Sequence, residues 1–130
     1  MTALPVPPTP ASTDLRDLPF MPLDVGRLRD SELAGIASAE AFRACVLSWC
    51  VAWHQVPAGS LPDDDAVLAR LLGFGRNVKS WRRVRAAGGL HGWFRCSDGR
   101  LYHPIVAEKV AYAERRREAA RERTQSARAV

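Results

Sequence analysis

The sequence predicts a mainly α-helical domain, a winged helix-turn-helix with a two-stranded β-hairpin as its wing and a C-terminal helix. Two helices separated by a short glycine-containing turn indicate the helix-turn-helix, and an earlier helix offers an apolar face for it. An Asp-Gly pair between two short runs then indicates the hairpin. The 130 residues suit one such domain with terminal segments.

Residues 1–17 are rich in proline and show neither an apolar period nor an aromatic residue. We therefore expect a disordered N-terminal segment. The next stretch, from Leu18 to Val25, contains two prolines, which argue against a central strand. It is predicted to cross the core as an edge strand or a clamp, within a domain that covers residues 18–113.

The first long helix is predicted to begin after Ser38, a residue suited to the N-cap, and to end near Gln55. Its apolar residues recur at spacings of three and four: Phe42, Cys45, Val46, Trp49, Ala52 and Trp53. A second helix is predicted to begin between Pro62 and Asp65, because a proline and three aspartates suit a first helical turn. Glycines at 73 and 75 end it.

The third helix is predicted to begin at Arg76 or Asn77 and to end before the glycine pair at 88 and 89. Apolar residues at spacings of three predict its buried face: Val78, Trp81 and Val84. The other faces carry basic and polar side chains. This helix is therefore expected to dock through one side and to present the rest to solvent or to a partner.

A β-hairpin is predicted around Asp98-Gly99, which is a strong signal for a two-residue hairpin loop. A two-residue loop opposes Cys96 to Leu101 and Phe94 to His103. That face is expected to be buried, which leaves Arg95 and Tyr102 on the other face.

A final helix is predicted from Pro104, with its larger side chains turned inward: Ile105, Val106, Val110 and Tyr112. Alanine, arginine and glutamate predominate in residues 114–130, which favour a helix but have nothing to bury. We expect a basic C-terminal helix or a frayed tail. The spacing of Glu118 with Arg121 is typical of a solvated helix surface.

Charge is distributed unevenly along the chain, whose net charge is +5. Residues 1–65 hold four arginines against nine acidic residues, whereas residues 66–130 hold fifteen basic residues against five acidic ones. The basic half suggests an anionic partner, most plausibly a nucleic acid backbone. A solvated basic surface is the alternative.

The third helix is the main candidate for contact with DNA, since the second helix of a helix-turn-helix enters the major groove. Arginine suits guanine and asparagine suits adenine. The candidate residues on this helix are Arg76, Asn77, Lys79, Ser80, Arg82 and Arg83. On the hairpin, Arg95 and Arg100 are candidates for a phosphate or the minor groove. An ordinary solvated cationic face, or a winged helix that binds protein, is the alternative.

The sequence offers little support for an enzyme, a cofactor, a metal site or a membrane segment. His91, Cys96 and His103 lack the four-ligand spacing of a zinc site, and the remaining cysteines are expected to be small core residues. No apolar run approaches the roughly 18–20 residues that span a bilayer. With no signal-peptide pattern, the protein is expected in the cytoplasm.

Residues 18–113 resemble a phage and prophage family, domain of unknown function 1376. The resemblance rests on several segments in order: residues 19–26, Trp49 to Trp53, residues 61–65 with 68–72, Trp81 with Val84, and residues 98–100. Leu101 stands where the family usually has tryptophan, and His103-Pro104-Ile105 replaces its Asn-x-(Lys/Arg) pattern. The resemblance implies a winged-helix-like domain of phage replication modules, often beside helicase-loading functions.

The sequence thus predicts a module that binds double-stranded DNA in phage or prophage replication initiation or its regulation. The third helix is expected in the major groove, with arginines of the wing and tail on phosphates. One alternative is a protein-interaction winged helix, an adaptor for a replicative helicase or loader. Another is a transcriptional regulator with the same DNA-binding chemistry. The oligomeric state and the contacts of the basic C-terminal helix stay open.

Overall fold

The computed structural model describes residues 3–129, which are mainly helical with a small antiparallel sheet, as predicted. The helices are α1 (Val25–Arg29), α2 (Glu32–Ile36), α3 (Ala39–Trp53), α4 (Asp65–Leu71), α5 (Val78–Val84) and α6 (Pro104–Ala129). The strands are β1 (Ser60–Pro62), β2 (Phe94–Arg95) and β3 (Arg100–Tyr102). A π-helical turn, Arg85–Gly89, follows α5. Within residues 3–129, no helix is both long enough and apolar enough to cross a bilayer.

Polar side chains start α3 and α4 close to the predicted positions. At the start of α3, the side chain of Ser38 accepts the backbone N–H of Ala41 at 3.1 Å. At the start of α4, Asp64 accepts the N–H of Val67, also at 3.1 Å. Each bond satisfies one of the N–H groups that a first helical turn leaves without a helical partner. Local capping therefore sets where both helices begin.

The main core lies where α3, α4 and α5 meet the sheet. Trp81 of α5 is fully buried in a cluster that includes Ala44 of α3, Leu68 of α4 and Leu101 of β3. Val84 is also buried there. The predicted burial of Trp81 and Val84 is confirmed, and it fixes which side of α5 faces outward.

Strand β1 was not predicted from the sequence. It pairs antiparallel with β3, Leu61 opposite Leu101, so the strand order of the sheet is β1-β3-β2. The predicted order has no element between the end of the first long helix and the start of the second. Three residues that end in proline carry no alternating pattern, and their pairing partner lies far along the chain.

The register of the β2–β3 hairpin is shifted by one residue from the predicted one. Phe94 pairs with Tyr102, and Arg95 pairs with Leu101. The predicted partners, His103 for Phe94 and Cys96 for Leu101, are therefore wrong. Cys96, Leu101 and His103 are buried as predicted, but Tyr102, expected on the exposed face, is buried as well. Neighbouring residues of a strand point to opposite faces, so β3, the central strand of the sheet, is covered on both faces.

The cause of the shift is a loop of three residues instead of two. The N–H of Gly99 donates to the carbonyl of Cys96 at 2.9 Å, and the N–H of Cys96 donates to the carbonyl of Arg100 at 2.9 Å. Gly99 has φ +81°, and Asp98 does not have a positive φ. This pattern is typical of a tight turn followed by a left-handed glycine, the usual three-residue hairpin loop.

Replacing Gly99 with valine is expected to disturb the hairpin and leave the helices folded. A β-branched residue at φ +81° is strained, which costs on the order of 1–3 kcal/mol. Backbone amide shifts of residues 94–102 measured by NMR should change strongly. The matched control is Gly35→Val, since a side chain at Gly35 meets no atom within 4 Å and needs no positive φ. Unchanged hairpin shifts in Gly99→Val would contradict this account of the loop.

Helix α6 docks through its first turns and then projects away from the core. Val106 and Val110 are buried as predicted. Ile105 and Tyr112, also predicted to face inward, are 36% and 43% exposed. They lie on another side of the helix, since their spacing places both away from the stripe that Val106 and Val110 form. The helix continues without a break to Ala129, and from residue 118 onward nearly every side chain is exposed.

Residues 9–15, part of the segment that was expected to be disordered, pack against the domain. The hydroxyl of Thr9 donates to the carbonyl of Ala58 at 3.0 Å, and the N–H of Ala58 donates to the carbonyl of Thr13 at 2.9 Å. Leu15 is fully buried in a second cluster that includes Trp53. A single leucine and two threonines produce no periodic pattern, so composition alone could not reveal these contacts.

The segment from Leu18 to Asp24 is extended but does not pair as a strand, which fits the predicted clamp better than the edge strand. The indole Nε1–H of Trp53 donates to the carbonyl of Leu18 at 3.1 Å. Nε2 of His54 lies 2.8 Å from the same oxygen. The end of α3 therefore holds this segment through side chains and not through a β-ladder.

Candidate nucleic-acid interface

The candidate DNA-contact residues occupy α5, the turn that precedes it, and the hairpin. Because Trp81 and Val84 anchor α5 in the core, Lys79, Arg82 and Arg83 lie on its exposed side. Arg76 precedes Lys79 by three residues, and Arg83 follows it by four. Lys79 and Arg83 therefore line one side of the helix, and Arg76 lies in the turn that precedes it. We call these three residues the α5 stripe.

The α5 stripe keeps its positive charge largely uncompensated. Arg83 is 71% exposed, and its nearest carboxylate is Glu40, with Nη2 4.0 Å from Oε2. Across residues 3–129, Arg76 and Lys79 form no ion pair. Long basic side chains without a carboxylate partner are free to reach an external anion.

Two aspartates from the start of α4 hold the other basic side chains of α5 and the π-helical turn. Arg85 donates to Asp65 at 2.8 Å and to Asp63 at 2.7 Å, and its side chain is mostly buried. Asp65 also accepts the indole N–H of Trp81 at 2.9 Å and Nε of Arg82 at 3.3 Å. From the sequence, the three aspartates at 63–65 are predicted only to stabilise the first turn of a helix. That explanation suffices for Asp64, whereas its two neighbours also bind arginines.

The carboxyl of Asp65 is stabilised in its charged form. Burial acts to raise its pKa, but the hydrogen bonds from Arg85, Trp81 and Arg82, together with the charge of Arg85, lower the pKa below its ordinary value. Asp65 is therefore ionised at neutral pH, where it compensates Arg85 and part of Arg82. Arg82 is still 69% exposed, so its guanidinium is accessible from solvent.

The two hairpin arginines have different environments. Arg95 is exposed, and its Nη1 lies 3.9 Å from Asp63. Arg100 donates from Nε to the hydroxyl of Ser60 at 2.8 Å and from Nη2 to Gln55 Oε1 at 3.0 Å. Arg100 thus connects β3 to β1 and to the end of α3. The structure does not bring it to the α5 stripe.

Asn77 and Ser80 are less suited to base recognition than the sequence suggested. The side-chain oxygen of Asn77 accepts the N–H of Ser80 at 3.1 Å and caps α5. Pairing with adenine uses both the oxygen and the nitrogen of the carboxamide, so the cap competes with that role. Ser80 is only partly exposed.

Arg43 of α3 is a basic residue near this surface that sequence reasoning missed. Its guanidinium lies against the turn between α4 and α5, where a Cβ on Gly73 would approach Nη2 to 2.7 Å. Gly73 also has φ +88°, so glycine serves both the turn and the close approach. Arg43 is far from α5 in the chain, and no local pattern connects the two.

The remaining histidines and cysteines differ in their exposure to solvent. His91 is exposed, whereas Cys96 and His103 are buried, and burial raises the pKa of the Cys96 thiol. Residues 3–129 contain no cluster of three side chains suited to hold a metal ion. Cys45 is buried as expected, but Cys50 is exposed and is not a core residue.

The arginines in the basic C-terminal part of α6 form fewer ion pairs with its glutamates than expected. Arg117 pairs with Asp17 at 2.7 Å and lies 3.7 Å from Glu114. The predicted pairing of Glu118 with Arg121 does not form. The glutamates of this tail therefore leave most of its arginines uncompensated.

The model of a family described as "protein of unknown function (DUF1376)" matches residues 19–111. No curated protein and no solved structure matches. The match covers most of the chain and includes α4, α5 and the hairpin. The chain belongs to the DUF1376 family.

Proposed function

We propose that this domain is a winged helix that binds double-stranded DNA, with α5 as its recognition helix. The order α3, β1, α4, α5, β2, β3 supports the proposal. It places two helices joined by a tight turn beside a sheet that ends in a hairpin. In a helix-turn-helix, the second helix of such a pair lies in the major groove.

The observation that carries the proposal is the α5 stripe. Two exposed cations lie on one side of a helix whose other side is anchored by Trp81, and a third lies in the turn before it. A helix seated in the major groove has a phosphate backbone on either side, and lysine and arginine supply most contacts to it. Arg43 extends the same charge to the turn before α5.

In this proposal, Arg82 and Arg95 contact DNA only when a phosphate replaces the aspartate beside each of them. Each is exposed, and each is near an aspartate, Asp65 for Arg82 and Asp63 for Arg95. Exposed ion pairs are worth roughly 0–1 kcal/mol, so a phosphate can compete for these arginines. Arg100 and Asn77 are given structural roles. From the family resemblance, we place the activity in phage or prophage DNA replication or its regulation.

The affinity for duplex DNA should fall with salt at a slope set by the number of phosphates contacted. Each contacted phosphate contributes about −0.9 to the slope of log affinity against log salt concentration. The three residues of the α5 stripe alone therefore give a slope near −3, and the addition of Arg82 and Arg95 gives about −4.5. The double change Lys79→Ala with Arg83→Ala should flatten the slope by up to about two units. Fluorescence anisotropy with a labelled duplex at several salt concentrations measures the slope.

The matched control removes the same amount of charge elsewhere. Arg16 and Arg29 are exposed and pair with neighbouring aspartates, so Arg16→Ala with Arg29→Ala should leave the slope unchanged. Absence of duplex binding at about 50 mM salt, where phosphate contacts are strong, would refute the proposal. Equal effects of the two double variants would mean that net charge, and not α5, governs binding.

A further inference from the structure

A groove runs between the extended segment 18–24 and the exposed side of α6. It consists of two hollows that share Met21 and Pro22. The first is an apolar cavity of about 370 Å³, lined among others by Leu23, Leu33 and Ile105. The second is wider and continues along α6 past Tyr112. We call the two together the α6 groove.

Large apolar side chains at the edge of this groove are left in solvent. Phe20 is 85% exposed, Leu23 is 51% exposed, and Ile105 and Tyr112 are partly exposed beside them. Single exposed apolar residues are common, but several bordering one concave surface mark a binding site. The cavity has the size and the aliphatic wall that suit one or two apolar side chains of a bound chain.

The rim of the α6 groove is positively charged. Lys109 lines the first hollow, and Arg116, Arg123 and Arg128 line the second. None of these four forms an ion pair within the described part of the chain. Arg116 is held in place by Tyr112, since Nη1 donates to the phenol oxygen at 3.0 Å. The rim therefore presents positive charge without a carboxylate partner next to an apolar cavity.

The carboxylates that face the same groove do not cancel this charge. Asp17 pairs with Arg117 at 2.7 Å, whereas Asp24 lines only the first hollow, away from the arginines of the second. Glu32 lies at the far end, in the first hollow. The arginine-bearing end of the groove is thus complementary to an acidic ligand.

We propose that the α6 groove binds an acidic amphipathic segment of a partner protein. Apolar side chains of that segment fill the cavity between Leu23 and Ile105, and its carboxylates pair with Lys109, Arg116 and Arg123. An amphipathic helix laid in a groove makes this combination of contacts. The proposal is independent of DNA binding, since the groove contains no residue of the α5 stripe.

The same observations disfavour two other occupants. Single-stranded nucleic acid binds by stacking bases on aromatic faces. Phe20 and Tyr112 border the second hollow, but the enclosed first cavity is walled mainly by aliphatic side chains, which suit a leucine better than a base. A second copy of this chain in a two-fold contact would place the basic rim against itself, and like charges in contact are unfavourable. An acidic protein segment satisfies both the cavity and the rim.

The test uses fluorescein-labelled synthetic helical peptides and fluorescence anisotropy with the full chain. The first peptide carries leucine at positions i, i+3, i+4 and i+7 with glutamate elsewhere, and the second replaces every glutamate with lysine. We expect the glutamate peptide to bind and the lysine peptide not to bind. Phe20→Ala and Arg116→Glu should each weaken binding by about tenfold, a loss typical of central interface residues.

Matched variants separate the groove from the general surface. Ile36 is 80% exposed and does not line the groove, so Ile36→Ala is the control for Phe20→Ala. Arg115 neighbours Arg116 but lies outside the groove, so Arg115→Glu is the control for charge reversal. Both controls should retain wild-type affinity.

Three results would overturn the proposal. The first is absence of glutamate-peptide binding up to about 1 mM, beyond which affinity is too weak to matter. The second is an equal loss in the groove variants and their controls. The third is a different occupant. A thymidine oligonucleotide that displaces the peptide would indicate nucleic acid, and a wild-type dimer that Phe20→Ala converts to monomer in sedimentation would indicate a second copy.

Discussion

Replacing Trp81 with alanine should lower the free energy of unfolding by about 3–5 kcal/mol, as large aromatic-to-alanine changes in a core do. Trp81 is fully buried, and its indole ring lies 5.5 Å from the ring of Phe74 in a tilted arrangement. The substitution leaves a cavity between α5 and the helices below it. It also removes the N–H that Asp65 accepts at 2.9 Å, which weakens the site that holds Arg85.

Urea denaturation followed by circular dichroism measures the loss. The control is Phe20→Ala, since Phe20 is exposed and its removal should change the free energy of unfolding by less than about 0.5 kcal/mol. A loss below about 1 kcal/mol for Trp81→Ala would show that α5 is docked differently. The outward orientation of the α5 stripe, which is inferred from the burial of Trp81, would then no longer be supported.

The second large effect is a dependence of stability on pH that originates at His103. This residue precedes α6, and its Nδ1 accepts the N–H of Ile105 at 3.2 Å. Its ring packs edge-on against the rings of Trp49 and Trp93, at centroid distances of 6.1 and 5.5 Å. Burial, and next the charge of nearby His91, lower the pKa of His103 to about 4.

A histidine with a lowered pKa makes the fold less stable in acid. Above the unfolded value of 6.5, His103 is neutral in both states and its contribution is fully present. Between pH 6.5 and about 4, the unfolded chain binds a proton that the folded chain does not, so stability falls. At 1.36 kcal/mol per pKa unit, the expected loss is about 3 kcal/mol, and below pH 4 this residue adds no further loss.

The variant His103→Asn should remove most of this dependence. Asparagine keeps an acceptor at the start of α6, where it is a favoured capping residue, but it does not titrate. Urea denaturation at pH 7, 5.5 and 4 gives the wild-type and variant curves, and their difference isolates His103 from carboxylates such as Asp65. The control is His54→Asn, at an exposed histidine. If the free energy of unfolding changed with pH equally in wild type and His103→Asn, the pH dependence would not originate at His103.

Local chemistry in the sequence was sufficient to predict the long helices and the glycine in the turn of the hairpin. Ser38 and Asp64 cap helices because their side chains reach an N–H three residues ahead, which needs no tertiary contact. The burial of Trp81 follows from the helical period, and the positive φ of Gly99 follows from turn chemistry. For the candidate site, the same period identified Lys79 and Arg83 as outward-facing residues of α5.

Tertiary contacts decided which strands pair and which charges remain available. The pairing of β1 with β3 makes β3 the central strand, and both faces of that strand are covered, which buries Tyr102. Asp65 binds Arg85, and Ser60 binds Arg100, through contacts between residues far apart in the chain. A count of basic residues cannot reveal such compensation. Whether an arginine is free depends on the acceptors that the fold brings within a few ångströms of it, and sequence order does not contain those distances.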